Sequence, residues 1–265
     1  MATRARACVA RGEYQEAVGL FVEALGGLEA AEGAESLPVA RLLNELGVAC
    51  KFAGRFDEAE VSYRRAIGLV ERIEGFECED MANLLHNVGG LAHSRHLYAD
   101  GLTPARESLV LRERLFGPSD VAVATDAAAL AALLEGTGDY AEAEGLYARA
   151  VEILDTAGAV REAAMARNGL GSACQELERY DEAEAHYRLA LAALEETTDG
   201  DHPDLGHVLN NLATLHRRRG EDVEARALLA RAHQIMLARL GPDHPVTVEV
   251  AGNRRRVEAS PSPYR

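Results

Sequence analysis

Amide and imidazole side chains gather in one short stretch of the chain, where they could bind a ligand. Asn83, His86, Asn87 and His93 lie close to one face of a predicted helix, and His96 follows one turn later. His93 and His96 are three residues apart, a spacing that lets two imidazoles share a metal ion. No cysteine or carboxylate completes such a site in the sequence. Three interpretations stay open: a metal site, a contact with a polar ligand, and solvent-exposed histidines.

Recognisable catalytic motifs are missing from the sequence. It contains no phosphate-binding glycine loop, GxSxG turn, CxxC pair or HExxH helix. Carboxylates are numerous, but their spacing assigns all of them to solvated helix faces. The sequence therefore predicts a protein that is not an enzyme and that uses no cofactor.

A recurring six-residue signature defines the elements that must position these side chains. Its copies end at Ala17, Ala59, Gly101, Ala143, Ala183 and Ala225. These end residues are separated by 42, 42, 42, 40 and 42 positions. Each period divides into two amphipathic helices, with the signature at the start of the second. A fixed period of this length is typical of stacked repeats, in which no unit buries its apolar face alone.

Small residues occupy two columns of the repeat and predict close helix packing. One column lies seven residues after the signature and holds Ala24, Ala66, Ser108, Ala150, Ala190 and Ala232. The other lies twelve residues before its end and holds Gly47, Gly89, Ala131, Gly171 and Ala213. We expect larger residues there to overpack the core. Cys8, Cys50 and Cys174 share a third column and are predicted to be buried free thiols.

The third copy departs most from the pattern. His96 replaces the usual glycine, Gly101 replaces the alanine, and Pro104 falls within the expected second helix. Proline removes a backbone hydrogen bond, so it is predicted to kink this helix or delay its start.

Composition limits the possible partners. The 265 residues carry a formal charge of −15, which argues against nucleic acid and anionic membranes as partners. No apolar run is long enough to span a membrane, so a cytoplasmic location is predicted. Lys51 is the single lysine of the chain, and the excess of arginine, alanine and glycine indicates a GC-rich bacterial genome.

Three segments resemble tetratricopeptide repeats of the kinesin-light-chain type, which have a unit of this length. They are the run from Leu209 to Leu215, the pair Gly220 and Ala225, and the run from Leu240 to Pro245. The resemblance implies an all-α fold, a right-handed superhelical solenoid of antiparallel helix pairs with about six units and a C-terminal capping helix. We expect one solenoid over residues 1–258, with repeats at about 1–35, 36–77, 78–118, 119–159, 160–201 and 202–243, a capping helix at 244–258 and a disordered tail at 259–265.

The same resemblance implies that the first helix of each pair lines a groove that binds peptides or partner proteins. One groove column then holds Asn44, His86, Ala128, Asn168 and Asn210. Asparagine offers both a donor and an acceptor, so a ladder of such residues could hold an extended peptide backbone. The alternative is that these amides cap or bridge adjacent helices.

Neighbouring groove positions are polar and partly basic. They are Arg41, Lys51, Asn83, His93, Gln175, His207, Arg217 and Arg218. Such a groove favours a ligand with a carboxylate or acidic side chains. The lysine-and-asparagine carboxylate clamp of chaperone-binding relatives is not reproduced in this sequence.

Three functions are compatible with these features. The first is a non-catalytic scaffold or receptor for a peptide or extended protein segment. The second is a small-ligand protein, or an unusual biosynthetic enzyme, with its site at the irregular third repeat. The third is a regulatory fragment that works beside a DNA-binding or effector domain.

Overall fold

The chain is helical throughout the part described by the computed structural model, residues 1–198 and 200–259. Thirteen helices follow one another in these ranges. They are α1 (Ala2–Ala10), α2 (Tyr14–Glu32), α3 (Leu37–Phe52), α4 (Phe56–Ile73), α5 (Glu79–Ser94), α6 (Tyr98–Phe116), α7 (Val121–Thr137), α8 (Tyr140–Thr156), α9 (Val160–Glu176), α10 (Tyr180–Thr197), α11 (Pro203–Arg218), α12 (Asp222–Leu240) and α13 (Pro245–Glu258). The predicted all-α fold of helix pairs with a final single helix is confirmed.

The helices form two compact units, of which the first runs from Met1 to Gly138 and the second begins at Asp139. Within the first unit, α3 packs on α4 and α5 on α6, while α5 also contacts α3 and α7. Within the second unit, α9 packs on α10 and α11 on α12, while α11 also contacts α9 and α13. In each unit the first helices of successive repeats therefore lie side by side.

A residue in the left-handed backbone conformation turns the chain between the two helices of a pair. Gly54 has a φ of 75° and Gly138 a φ of 88° at this position. His96 and Glu178 stand where other copies have glycine and keep the same conformation, with φ values of 58° and 60°. The repeat geometry thus overrides the steric preference of these two side chains.

The small-residue columns are points of close helix contact, as predicted. A Cβ atom added to Gly47 would lie 2.4 Å from the ring of Tyr63. One added to Gly171 would lie 2.7 Å from the ring of Tyr187. Both tyrosines come from the second helix of the same repeat and are almost fully buried. Glycine therefore makes room for an aromatic ring at these crossings.

The third repeat corrects one expectation. Helix α6 begins at Tyr98, in register with the other second helices, and runs through Pro104 to Phe116. The predicted delay of its start is wrong. Gly101 has a specific packing role, because a Cβ atom there would lie 2.8 Å from Cδ2 of Leu133. The side chain of Leu133 fills the space that the signature alanine occupies in other repeats.

Two further predictions concern cysteines and chain ends. Cys8, Cys50 and Cys174 are buried and free, as predicted. Burial raises the pKa of the Cys50 thiol to about 11. Apart from Ala259, the predicted tail at 259–265 lies outside the described residues. None of the described helices has the length and apolarity needed to cross a membrane.

The register can be tested by overpacking one column. Ala143 and Ala150 are fully buried in α8, whereas Ala148 of the same helix is exposed. We expect Ala143→Leu and Ala150→Leu each to reduce the free energy of unfolding by about 1–3 kcal/mol. Ala148→Leu, the matched control, leaves it nearly unchanged. Thermal and urea unfolding measure the effect, and unchanged stability of both buried variants would contradict the register.

Candidate ligand site between α5 and α7

Three polar residues interrupt apolar columns of the repeat, and the fold brings them together in the first unit. Ser108 replaces alanine in the column seven residues after the signature. Arg112 stands where other repeats have Leu28, Val70, Leu154, Leu194 and Met236. Asp126 stands where other repeats have Leu42, Leu84, Ala166 and Val208. Polar residues at apolar core positions cost stability unless they bond one another.

Asp126 is the centre of this cluster and is 1% exposed. Its Oδ2 atom accepts hydrogen bonds from Nε of Arg112 at 2.8 Å and from Oγ of Ser108 at 2.5 Å. Its Oδ1 atom lies 2.7 Å from Nδ1 of His86. Arg112 also donates to Oδ1 of Asn83 at 2.9 Å. We call these five residues the Asp126 cluster.

The cluster overturns one prediction and completes another. The expectation that every carboxylate lies on a solvated helix face is wrong, because Asp126 is buried beside an arginine. Asn83 and His86 do come together, as their spacing indicated. Each, however, already makes a hydrogen bond within the protein, Asn83 with Arg112 and His86 with Asp126. A comparison of repeat columns would have found Arg112 and Asp126, since each is the one charged residue in its column.

A cavity of about 280 Å³ adjoins the Asp126 cluster. Its walls come from α3, α5, α6 and α7 and include Lys51, His86, His93, Ser94, Asp126 and Leu133. Gly89 and Gly90 of α5 and Ala129 and Ala132 of α7 also line it. Small side chains on both helices leave the space open. The structure thus places a compact pocket beside His86 and His93.

Lys51 lies in the wall of this cavity without a carboxylate partner among the described residues. Its Nζ atom sits 4.7 Å from the centre of the Phe52 ring. A Cβ atom added to Gly90 would be 3.3 Å from that same nitrogen, so the ammonium group rests against the α5 backbone. Burial lowers the pKa of Lys51, because desolvation penalises its charged form. The chain therefore keeps its single lysine partly desolvated and without a counter-ion among the described residues.

The two histidines first considered as metal ligands share one aromatic partner. The rings of His93 and His96 both meet Tyr98 edge-on, at centroid distances of 5.4 and 5.7 Å. Nδ1 of His96 lies 2.7 Å from the Tyr98 hydroxyl. The pKa of His93 is lowered by burial and, to a smaller extent, by the charges of His96 and Lys51. Lys51 and His93 thus lie close enough to affect each other's charge.

Asparagines of the predicted groove column bridge successive first helices. Nδ2 of Asn87 donates to Oδ1 of Asn44 at 2.8 Å, and Nδ2 of Asn211 donates to Oδ1 of Asn168 at 3.1 Å. A third bridge joins Asn253 to Oδ1 of Asn210 at 2.9 Å. Each partner lies forty-three positions further along the chain. The bridge is missing at His86, where the corresponding partner position holds Ala129.

The remaining predicted groove residues differ in whether their polar groups are free to bind a ligand. Arg41 donates to Asp80 at 2.7 Å and Arg218 to Glu176 at 2.6 Å, so both charges are neutralised within their own unit. Arg217 is exposed and has no carboxylate partner among the described residues. Gln175 is 5% exposed and its Oε1 atom is unpaired in the described structure. His207 lies partly buried in α11.

A double-mutant cycle tests the buried charge pair. Asp126→Leu alone leaves Arg112 buried without its counter-ion, and we expect a loss of about 3–5 kcal/mol in the free energy of unfolding. Arg112→Leu alone strands the carboxylate in the same way. The double variant restores the apolar residues of other repeats and should be more stable than either single variant. Urea unfolding measures all four proteins, and strictly additive losses would contradict the pairing.

A histidine variant tests the electrostatics of the second unit. Burial lowers the pKa of His207 from its ordinary value of 6.5. The unfolded chain then binds this proton more readily, so His207 makes the folded state less stable as pH falls through about 6.5. We expect His207→Gln to reduce the loss of unfolding free energy between about pH 7.5 and about pH 5.5. An unchanged or larger loss in the variant would contradict this assignment.

Comparison with known proteins agrees with the repeat geometry. A sequence model of the tetratricopeptide repeat matches residues 1–72, 80–156 and 162–238. Protein KINESIN LIGHT CHAIN-RELATED 3 of Arabidopsis thaliana is 30% identical over 118 residues, which are 44% of this chain. The chain spans only 18% of the length of that relative.

Solved structures also share the fold. BtubC (BKLC) from P. vanneervenii has a TM-score of 0.68 at 20% identity, over 87% of this chain and 92% of its own. A Rap protein complexed with Competence and Sporulation Factor has a TM-score of 0.68 at 16% identity, over 97% of this chain and 73% of its own. At such identities the likeness concerns the fold alone. With the family match over most of its length, the chain belongs to the tetratricopeptide repeat family.

Proposed function

We propose that this protein is a non-catalytic interaction module that binds a peptide or an extended protein segment across the first helices of its repeats. Tetratricopeptide repeats are typical of protein-interaction scaffolds, and this chain has the repeat along most of its length. The Rap protein solved with Competence and Sporulation Factor supports the proposal, because a related fold holds a second molecule there.

The asparagine bridges carry the proposal. In the Asn168–Asn211 pair, Oδ1 of Asn168 accepts the bridging hydrogen bond from Nδ2 of Asn211. The bond fixes both amides and leaves the N–H donors of Asn168 and the carbonyl oxygen of Asn211 without partners among the described residues. Both residues are only partly buried. One bridge therefore offers a donor and an acceptor together, the two groups that pair with a backbone carbonyl and N–H.

The same arrangement recurs in the first unit. Asn44 and Asn87 form an equivalent bridge and are also partly buried. The third bridge is different, because Asn210 is 9% exposed and Oδ1 of Asn253 accepts from Arg256 at 2.9 Å. We therefore assign backbone binding to the Asn44–Asn87 and Asn168–Asn211 bridges. The sequence left two alternatives for this column, helix bridging and ligand binding. In this proposal the same pair of asparagines does both.

Charge supports an acidic partner. The exposed Arg217 and the half-buried Lys51 keep positive charge without a carboxylate partner in the described structure. A ligand with acidic side chains or a terminal carboxylate would complement either residue within its own unit. The overall charge of −15 disfavours nucleic acid and anionic membranes.

A second function is favoured by one observation, the cavity of about 280 Å³ beside the Asp126 cluster. Its size suits a small ligand or one side chain of a larger one. This candidate and the first are compatible, since the cavity adjoins first helices α3, α5 and α7.

Selection from a random-peptide display library tests the proposed function. We expect the protein to enrich specific sequences, and Asn168→Asp to bind the enriched peptides at least about tenfold more weakly, because it loses the amide donors. The aspartate still accepts from Asn211, so the bridge and the melting temperature are largely kept.

Asn211→Asp is the matched control. It adds the same charge but removes the donor of the bridge, and therefore lowers stability while Asn168 keeps its donors. Enrichment no better than background, or enriched peptides that bind Asn168→Asp as well as the unaltered protein, would contradict the proposal.

A further inference from the structure

Within the described residues, the α5–α7 cavity combines a cation without a carboxylate partner, an imidazole without a hydrogen-bond partner, and walls that are otherwise mostly apolar. Lys51 supplies the cation, and its ammonium group rests against Gly90. Leu133, Ala129, Ala132 and Ala105 supply much of the remaining wall. Half-buried ammonium groups normally have a counter-ion, because burial without one is costly. The described residues provide none for Lys51.

We infer that this cavity is a binding site for a carboxylate group, with Lys51 as its counter-ion and His93 as a neighbouring hydrogen-bond donor. The inference rests on the proposed function only for the molecule that carries the carboxylate. A bound carboxylate would accept a charge-assisted hydrogen bond from Nζ of Lys51. The adjacent imidazole of His93 has an N–H group in either tautomer and has no hydrogen-bond partner among the described residues.

The Asp126 cluster excludes a cationic ligand. The Asp126 carboxylate already meets Arg112, Ser108 and His86 at distances of 2.8, 2.5 and 2.7 Å. Its charge is balanced by Arg112, and its oxygen atoms are occupied. The cavity wall together with this pair therefore carries a formal charge of +1, from Lys51. An ammonium ligand would meet an unopposed like charge, whereas a monoanion is neutralised.

The walls also favour a carboxylate over a phosphate. One formal positive charge matches a monoanion, while a phosphate dianion would stay half-compensated in a partly desolvated place. Burial lowers the pKa of both Lys51 and His93, and a bound anion would reverse this effect. The alanine, glycine and leucine walls suit the methylene groups of an acidic side chain or of a short aliphatic acid.

This site is separate from the asparagine bridges in its chemistry. It lies where the ladder is interrupted, because Ala129 takes the place of the bridging asparagine beside His86. The loss of that side chain opens the space. The irregular third repeat therefore has a cavity at the position where other repeats have an asparagine bridge that could bind a peptide backbone.

Selective labelling of lysine makes the test direct, because Lys51 gives the only lysine side-chain signal in the NMR spectrum. The protein is titrated with sodium propionate at constant ionic strength and pH, against sodium chloride and propionamide. We expect a saturable shift of the Lys51 signal with propionate and none with the controls. Ala129→Leu, which fills the cavity and leaves Lys51 in place, should weaken this binding on the order of tenfold.

Two blocked peptides distinguish the sources of the carboxylate. One carries a central glutamate among alanines, and its control carries glutamine. If a protein segment delivers the carboxylate, the glutamate peptide shifts the Lys51 signal at lower concentration than propionate does. If a free acid is the ligand, propionate acts at a concentration equal to or lower than the peptide, and the carboxylate site still stands.

Three outcomes would overturn the inference. They are a Lys51 signal that responds to no carboxylate, an equal response to propionate and chloride, and an unchanged response in Ala129→Leu with a retained fold. The last outcome would assign binding to an ordinary surface lysine. Failure of this site and failure of the groove are distinguishable. Enriched peptides that bind Asn168→Asp as tightly as the unaltered protein contradict the groove alone, whereas a Lys51 signal that does not respond to propionate contradicts this site alone.

Discussion

The close approach of neighbouring helices is the constraint on which the rest of this structure depends. Glycine and alanine at the crossings set how closely the helices of a pair approach, as the contact of Gly47 with the Tyr63 ring illustrates. Once the pairs stack, side chains at fixed repeat positions must meet. Asparagine pairs satisfy that requirement at three junctions of the described chain. The junction between α5 and α7 satisfies it with a buried carboxylate, an arginine and an imidazole instead.

A buried charge pair at that junction has a physical cost and a consequence. Isolated burial of Asp126 or Arg112 would be strongly unfavourable, and pairing only offsets this cost. Apolar residues at both positions would pack more simply, as other repeats of the chain demonstrate. The cluster instead fixes the ring of His86 through its Nδ1 atom. It also supplies polar groups to one part of the cavity wall. Packing alone does not require such an arrangement, and it borders the cavity that we assign to a ligand.

Much of the fold could be predicted from sequence because the repeat reports it several times. The forty-two-residue period placed the helix pairs, the small-residue crossings and the buried cysteines. The delayed start of α6 predicted from Pro104 is wrong, since α6 begins at Tyr98 in register with the other second helices. The site was harder to predict. Its residues are exceptions to the columns, and Ser108, Arg112 and Asp126 come from two helices whose mutual register only the folded unit reveals. The asparagine column was predicted. Whether its members can bridge helices and also bind a ligand depends on which amide oxygen accepts the hydrogen bond of the bridge, and the sequence does not give this.

The central claim is that the interrupted junction between α5 and α7 is a carboxylate site. A crystal structure of the protein grown with propionate tests it most directly. The account predicts carboxylate density in the α5–α7 cavity, within hydrogen-bonding distance of Nζ of Lys51 and beside His93, with the Asp126 cluster unchanged. A cavity that contains only water at saturating propionate, or a Lys51 side chain paired with a protein carboxylate, would contradict it.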